Sequence, residues 1–275
     1  MPKLFVTHKN PHLDDVAAIW VLRRALPAWK KARVEFIAAD ASYTRKDSAD
    51  RMAIGVGRGQ FDEHKGDRAD SATTLVWKYC KKQPECAVKT PEERKAMDAL
   101  VAYVNEEDHG MLFASPTREF MIGSVFTYLG RVTGEGSEGA LQFGEQYLAG
   151  VYEGLLEKEW CMRDWKKRKE FTTKWGKGVA VTTTVSSKVV ARIAYAQDYV
   201  LFVYSNPATH YLSIKSRNDS RVDLTRVATA VRTLEPDADW YLHHSSKMLI
   251  CGSDVSANRA LSSLSSRQLV TLLQQ

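Results

Sequence analysis

Apolar and polar positions along the first hundred residues follow two alternating periods. Leu4-Phe5-Val6 is a short apolar run of the kind that forms a buried strand. From Asp14 to Leu26 the apolar residues Val16, Ile19, Trp20, Leu22 and Leu26 recur at helical spacing, and Pro27 ends the run. Val34 to Ala39 reads as a second strand closed by Asp40, and Met52 to Val56 as a third that runs into Gly55-Val56-Gly57-Arg58-Gly59. A helix is predicted over Ser71 to Cys80 with Ser71 as its cap. A longer one opens at Pro91 and ends near Glu107. Strands alternating with helices predict a mostly parallel sheet covered by helices.

The pattern then changes. Ser115 to Ser137 is rich in glycine and reads as loop. Gly139 to about Lys169 predicts a long helix whose apolar stripe is Leu141, Leu148, Val151 and Leu155. Beyond Gly178 the segments Val179–Thr184, Val189–Tyr195, Tyr199–Tyr204 and His210–Ile214 are β-rich and separated by turns such as Ser205-Asn206-Pro207. Asp223 to Leu234 reads as a helix, Trp240 to His244 as a strand and Arg259 to Leu273 as a final helix. The expected fold class is α/β: an N-terminal helix-covered sheet over 1–135, a linking helix over 136–175 and a smaller α/β domain over 176–275.

Composition adds little to this. The 275 residues are 44% hydrophobic and 26% charged, which suits an ordinary globular core. The 39 basic and 33 acidic side chains give a net charge of +6, compatible with a polyanionic partner without requiring one. Cys80, Cys86, Cys161 and Cys251 form no C-x-x-C pair, which argues against a structural zinc site and for a reducing compartment. The chain has no apolar run long enough to span a membrane and no cleavable leader pattern at its start, so the expectation is a cytoplasmic protein with no membrane partner.

The candidate chemistry gathers where strands end. His8, His12, Asp14 and Asp15 follow the first strand, Asp62, Glu63 and His64 follow the glycine-rich turn, and Asp108 and His109 follow the long N-terminal helix. Imidazoles and carboxylates at the carboxyl ends of strands are how an α/β sheet binds divalent ions. A tight turn explains Gly55–Gly59 better than a dinucleotide site does, because the G-x-G-x-x-G spacing is missing. The run Lys166-Lys167-Arg168-Lys169 suits a solvated helix face more readily than a phosphate contact.

In order along the chain, these motifs resemble the DHH phosphoesterase superfamily, and within it the melanocyte-proliferating-gene-type branch. That branch opens with T-H-N-G-x-F-H-C-D-E, where this chain has Thr7-His8-Lys9-Asn10-Pro11-His12-Leu13-Asp14-Asp15. Its D-V-G-G turn is similar to Gly55-Val56-Gly57-Arg58, its F-D-H-H to Phe61-Asp62-Glu63-His64, and its serine-led helix to Asp70 through Trp77. Its D-N-G resembles Asp108-His109-Gly110, and its C-terminal V-H-A-S-G-F-I-G-G resembles Leu242-His243-His244-Ser245-Ser246 and the residues up to Gly252. The matches run from residue 7 to about 255, nearly the whole chain.

The resemblance implies a metal-dependent phosphodiesterase, a 3′–5′ exonuclease on short or single-stranded nucleic acid, using one or two Mn²⁺ ions with Mg²⁺ as an alternative. It implies metal ligands at His8, His12, Asp14, Asp62, Glu63 and Asp108, and catalytic roles for His64 and Asp108. Substrate contacts would come from Arg58, His243, His244, Ser245 and Ser246. The pattern departs from the family at Gly55, where the branch carries an aspartate that bridges two metals, and at Glu63, where it carries histidine. Asp40 or Asp62 are the candidates to compensate, and the expected metal content stays open between one ion, a rearranged pair and none. Two further readings remain: a non-catalytic member that binds nucleic acid or a nucleotide, and a zinc amidohydrolase or deacetylase, since H-x-D-D also occurs in zinc enzymes.

Overall fold

The structure is a computed structural model, and it describes residues 2–38, 47–63, 69–114, 116–253 and 260–275. The chain divides into two compact units, Met1–Leu156 and Glu157–Gln275.

Three parallel strands form the sheet of the first unit: β1 (Leu4–His8), β2 (Arg33–Ile37) and β3 (Arg51–Ala53), in the order β2-β1-β3. Helix α1 (Leu13–Ala25) crosses from β1 to β2, and the parallel pairing requires such a crossover. Strand β1 alternates as a two-sided buried strand should. Phe5 joins the large core with α1, while Val6 joins Ala53 and Val56 on the opposite face. Helices α2 (Ala72–Cys80), α3 (Pro91–Asp108), α4 (Ile122–Thr133) and the first part of α5 (Gly136–Trp165) complete that core through Val76, Met97, Leu100, Leu148 and Tyr152. Thr90 caps α3, its hydroxyl accepting from the Glu93 N–H while Glu93 accepts from the Thr90 N–H.

The second unit is built on a mixed six-stranded sheet in the order β4-β5-β6-β7-β9-β8. Its strands are β4 (Lys169–Thr173), β5 (Gly176–Thr182), β6 (Leu201–Ser205), β7 (Leu212–Ser216), β8 (Tyr241–Leu242) and β9 (Met248–Cys251). Two-residue alternation on β6 divides its core. Leu201 and Val203 pack with α7 (Thr225–Leu234) and α8 (Ser266–Leu273), and Phe202 and Tyr204 pack with α6 (Ser187–Ala196) and Trp165.

Several sequence expectations are corrected here. Val189–Tyr195, read as a strand for its β-branched residues, lies in α6. Val189, Val190, Ile193 and Ala194 are buried at helical spacing, and the Ser186 hydroxyl caps the first turn. Part of the expected loop 115–137 is the helix α4, which closes on Gly134 in a left-handed conformation. The long helix ends at Trp165, so Lys169 opens a strand instead of closing a helix. The expected strand 240–244 is only two residues long, and β9 behind it was not anticipated. The final helix starts at Ser266, capped by Ser265. The two units divide within α5, between Leu156 and Glu157.

Candidate metal centre

The chain leaves β1 at His8 and enters α1 at Leu13 through a tight loop. Asn10 takes a left-handed backbone (φ 55°), which a short polar side chain tolerates, and its N–H donates to the Ser137 hydroxyl. This turn puts His8, His12 and the first turn of α1 together at the carboxyl end of the central strand. Ligands of open parallel sheets are held at that end.

His8 is fixed at both ring nitrogens. Nδ1 lies 2.8 Å from the Lys9 carbonyl oxygen, which can only accept, so Nδ1 carries the hydrogen. Nε2 lies 2.9 Å from Asp15 Oδ2. The His12 ring meets the His8 ring edge-on, with centroids 4.9 Å apart. Asp15 is 4% exposed. Its carboxylate accepts from the Thr7 hydroxyl at 3.3 Å and from the His12 N–H at 2.9 Å. Ligand atoms of His8, His12 and Asp15 all lie within 4.8 Å of one another. A carbonyl on the far nitrogen of a histidine is the usual way a protein orients a metal-binding imidazole. Hydrogen bonding to Asp15, opposed by burial and helped by the Asp15 and Glu63 charges, raises His8 to about 9.

Asp14 faces elsewhere. Its carboxylate accepts from the Ala72 N–H at 2.8 Å and the Thr73 N–H at 2.9 Å, and so terminates α2. Burial and the Asp15 and Asp108 charges push Asp14 up to about 7, against the donors from Thr73. Asp108, exposed at the end of α3, is thus close enough for its charge to be felt at Asp14, as that of Glu63 is at His8. Asp62 is buried and accepts from the Arg58 N–H at 2.6 Å, closing the turn in which Gly57 (φ 73°) and Arg58 (φ 51°) are left-handed. Arg58 itself is exposed. His64 and Asp40 lie outside the described residues. Asp15 stands among the candidate acids of the first motif, but the resemblance assigns the ligand role there to Asp14.

The C-terminal motif belongs to the second unit. The His243 and His244 rings lie 3.9 Å apart between centroids, tilted 40° to each other, and His243 Nδ1 hydrogen-bonds the Ser245 hydroxyl at 2.8 Å. Ser246 is left-handed (φ 57°) and its carbonyl accepts from the Leu224 N–H. His243 and Ser245 line an open cleft of about 700 Å³ with Lys215, Arg217 and Lys247, offset by Asp198 and Asp219. The three cations were not singled out from the sequence, although Lys215 and Arg217 are two apart on one face of β7 and its extension. In the run 166–169, Arg168 pairs with Glu170 at 2.8 Å and lies over the Trp165 ring.

No protein-family model matches the chain, and no curated protein matches it significantly. Solved structures are similar at low identity. An uncharacterised protein from Helicobacter pylori G27 is 11% identical over 99% of both chains, with a TM-score of 0.27. A DHH domain from a member of the s1p family of ribosomal proteins is 10% identical over 91% of this chain and 82% of that one, with a TM-score of 0.32. RecJ from Thermus thermophilus, in complex with Mg²⁺, is 13% identical over 98% of this chain and 49% of that one, with a TM-score of 0.29. At such scores the family reading rests on this chain's own residues. Among the described residues no helix is long and apolar enough to cross a membrane.

Proposed function

We propose that this chain is a divalent-metal-dependent phosphodiesterase of the DHH type, in the melanocyte-proliferating-gene-type branch, acting as a 3′–5′ exonuclease on short or single-stranded nucleic acid. The observation that carries the reading is the meeting of His8, His12 and Asp15, with ligand atoms within 4.8 Å, at the end of β1. The donor chemistry fits the proposed group. Two imidazoles and one carboxylate suit a borderline ion such as Mn²⁺ better than Mg²⁺, which prefers oxygen. A bound divalent ion would supply a water of lowered pKa and polarise a phosphoryl oxygen.

The chain's own groups set the rest. Lys9 holds the His8 ring so that Nε2 faces the cluster, and Thr7 and the His12 N–H aim Asp15. Glu63 adds negative charge near His8, which favours a cation there. In the second unit Lys215, Arg217, Lys247 and His243 give a cleft suited to the phosphates of a nucleic-acid strand. The test is hydrolysis of 5′-labelled single-stranded RNA and DNA oligomers and of dinucleotides with Mn²⁺, Mg²⁺ or Zn²⁺ after chelator treatment. The expected result is stepwise shortening that is strongest with Mn²⁺ and lost in His8→Ala. Absence of metal-dependent cleavage of any of these substrates overturns the reading.

A second reading is supported by the direct contact of His8 with Asp15, since an ion pair can close a site that has lost its chemistry. Such a member would bind oligonucleotides in a salt-sensitive way and retain no metal on purification.

A further inference from the structure

The backbone of Gly55 lies against the Asp15 carboxylate. A Cβ placed on Gly55 would overlap Asp15 Oδ1 and sit 3.5 Å from its Cγ. Gly55 follows directly from β3. Ile54 donates its N–H to the Val6 carbonyl and Gly55 donates its own to the Phe61 carbonyl, so neither backbone can retreat without breaking the edge of the sheet. Positions 15 and 55 therefore share one small volume beside His8, and only one of them can fill it with a side chain.

We propose that Asp15 is a metal ligand delivered from the first turn of α1, and that Gly55, whose left-handed backbone (φ +62°) itself favours glycine, leaves the space beside His8 to this carboxylate. The inference rests on the metal-site reading above and names the chain's own solution to the place where the family resemblance expects an aspartate. Three observations converge on it. Asp15 Oδ2 is 2.9 Å from His8 Nε2, and with His12 the three ligand atoms lie within 4.8 Å of one another, close enough to meet one ion. Asp15 is aimed by Thr7 and the His12 N–H, which leaves its carboxylate little freedom to swing away. Asp14, the other acid of the motif, has both oxygens engaged by the first turn of α2. A purely capping role for Asp15 would explain the His12 N–H contact, but not the approach of the same carboxylate to His8 Nε2 at 2.9 Å.

The test is Mn²⁺ binding to the full chain, by calorimetry and electron paramagnetic resonance, with circular dichroism as the folding control. Asp15→Asn keeps the size and one of the two acceptor oxygens that Thr7 and His12 use but is a poor ligand; the expected loss of Mn²⁺ affinity is ~10-fold or more, at least what losing an outer-shell partner of a metal ligand costs. The exchange variant Asp15→Gly with Gly55→Asp moves the carboxylate to the other position, where an aspartate tolerates φ +62° better than most residues. It is expected to bind Mn²⁺ more tightly than Asp15→Gly alone. Asp15→Asn that folds and binds Mn²⁺ like the parent overturns the proposal, as does a folded exchange variant no better than Asp15→Gly. Parent protein that binds no Mn²⁺ sinks the metal reading together with this one. Parent binding that Asp15→Asn abolishes, without cleavage of any nucleic acid, supports this assignment and sinks only the nuclease reading.

Discussion

Asp14 and Thr73 are bound to each other twice: the Thr73 N–H donates to the Asp14 carboxylate at 2.9 Å, and the Thr73 hydroxyl donates to the Asp14 carbonyl at 2.8 Å. With the Ala72 N–H on the other carboxylate oxygen and Ser71 accepting from Thr74, the first turn of α2 has its donors satisfied. Asp14→Ala leaves two buried N–H groups without acceptors and is expected to destabilise the metal-free protein by about 1–3 kcal/mol. Asp14→Asn keeps an acceptor and removes the charge that Asp15 and Asp108 repel, so it is expected to be the milder change. Urea unfolding of the two variants checks this, and an Asp14→Ala midpoint equal to the parent's contradicts the capping role.

Arg23 joins α1 to α5 in the first unit. One of its terminal nitrogens lies 2.7 Å from both oxygens of Glu145, and the other donates to the Ala32 carbonyl at 2.6 Å. The pair is about three-quarters screened from solvent, with side chains 21% and 23% exposed, so it lies between the surface and buried cases. Removing one partner strands the other. Arg23→Met and Glu145→Gln are each expected to cost about 1–2 kcal/mol, and the double variant less than the sum. A double-mutant cycle with no coupling would mean the two side chains act independently.

What the sequence disclosed follows from how local each signal is. The β1–α1 unit was legible because Leu4-Phe5-Val6 and the spacing of Val16, Ile19, Trp20 and Leu22 are each sufficient alone, and burial agrees with both. The helix α6 was misread because Val189, Val190 and Ile193 carry β-favouring side chains; their spacing held the answer and their type did not. Helix α4 was missed because its glycines outweighed Ile122 and Phe126, which pack on the core one turn apart. At the site, the loop and its histidines were found, but not which acid serves them. Asp14 and Asp15 are adjacent, and consecutive helical residues point about 100° apart. The choice between them is made by Gly55 and by the N–H groups of α2, contacts that span 40 and more positions of sequence and leave no local trace.

The thiols give a test of burial. Cys80 and Cys161 are fully buried. Loss of solvation, with help from neighbouring Cys86 and Glu85, pushes the Cys80 thiol up to about 12, and burial with Asp164 and Glu157 nearby pushes Cys161 up to about 11. Only the thiolate reacts with alkylating agents, so neither residue is expected to be modified by iodoacetamide at pH 8 in the native protein, and both within minutes in denaturant. Mass spectrometry of native digests resolves the sites. Rapid native labelling of Cys80 would place it outside the core to which Phe61, Val76 and Trp77 also belong.

Glu235, at the end of α7, gathers the segment that leads into α8. Its carboxylate accepts from the Ser262 and Ser263 hydroxyls at 2.5 Å each, from the Ser263 N–H at 2.7 Å and from the Trp240 indole at 3.2 Å. Burial pushes this carboxyl up, and the donors from Ser262, Ser263 and Trp240 outweigh it, so that it lies below the usual glutamate range. A carboxyl held lower in the folded chain than in the unfolded one stabilises the fold when ionised. The contribution is therefore complete above the ordinary glutamate pKa and is lost as the pH falls through the lowered folded value. Glu235→Gln keeps an acceptor but removes the charge, and near pH 7 it is expected to cost about 1 kcal/mol once solvent screening is allowed for. The gap between parent and variant in urea midpoint should close progressively as the pH is taken below 4. A gap that stays constant from pH 7 to pH 3 would mean that the serines bind Glu235 no more tightly in its charged form than in its neutral one.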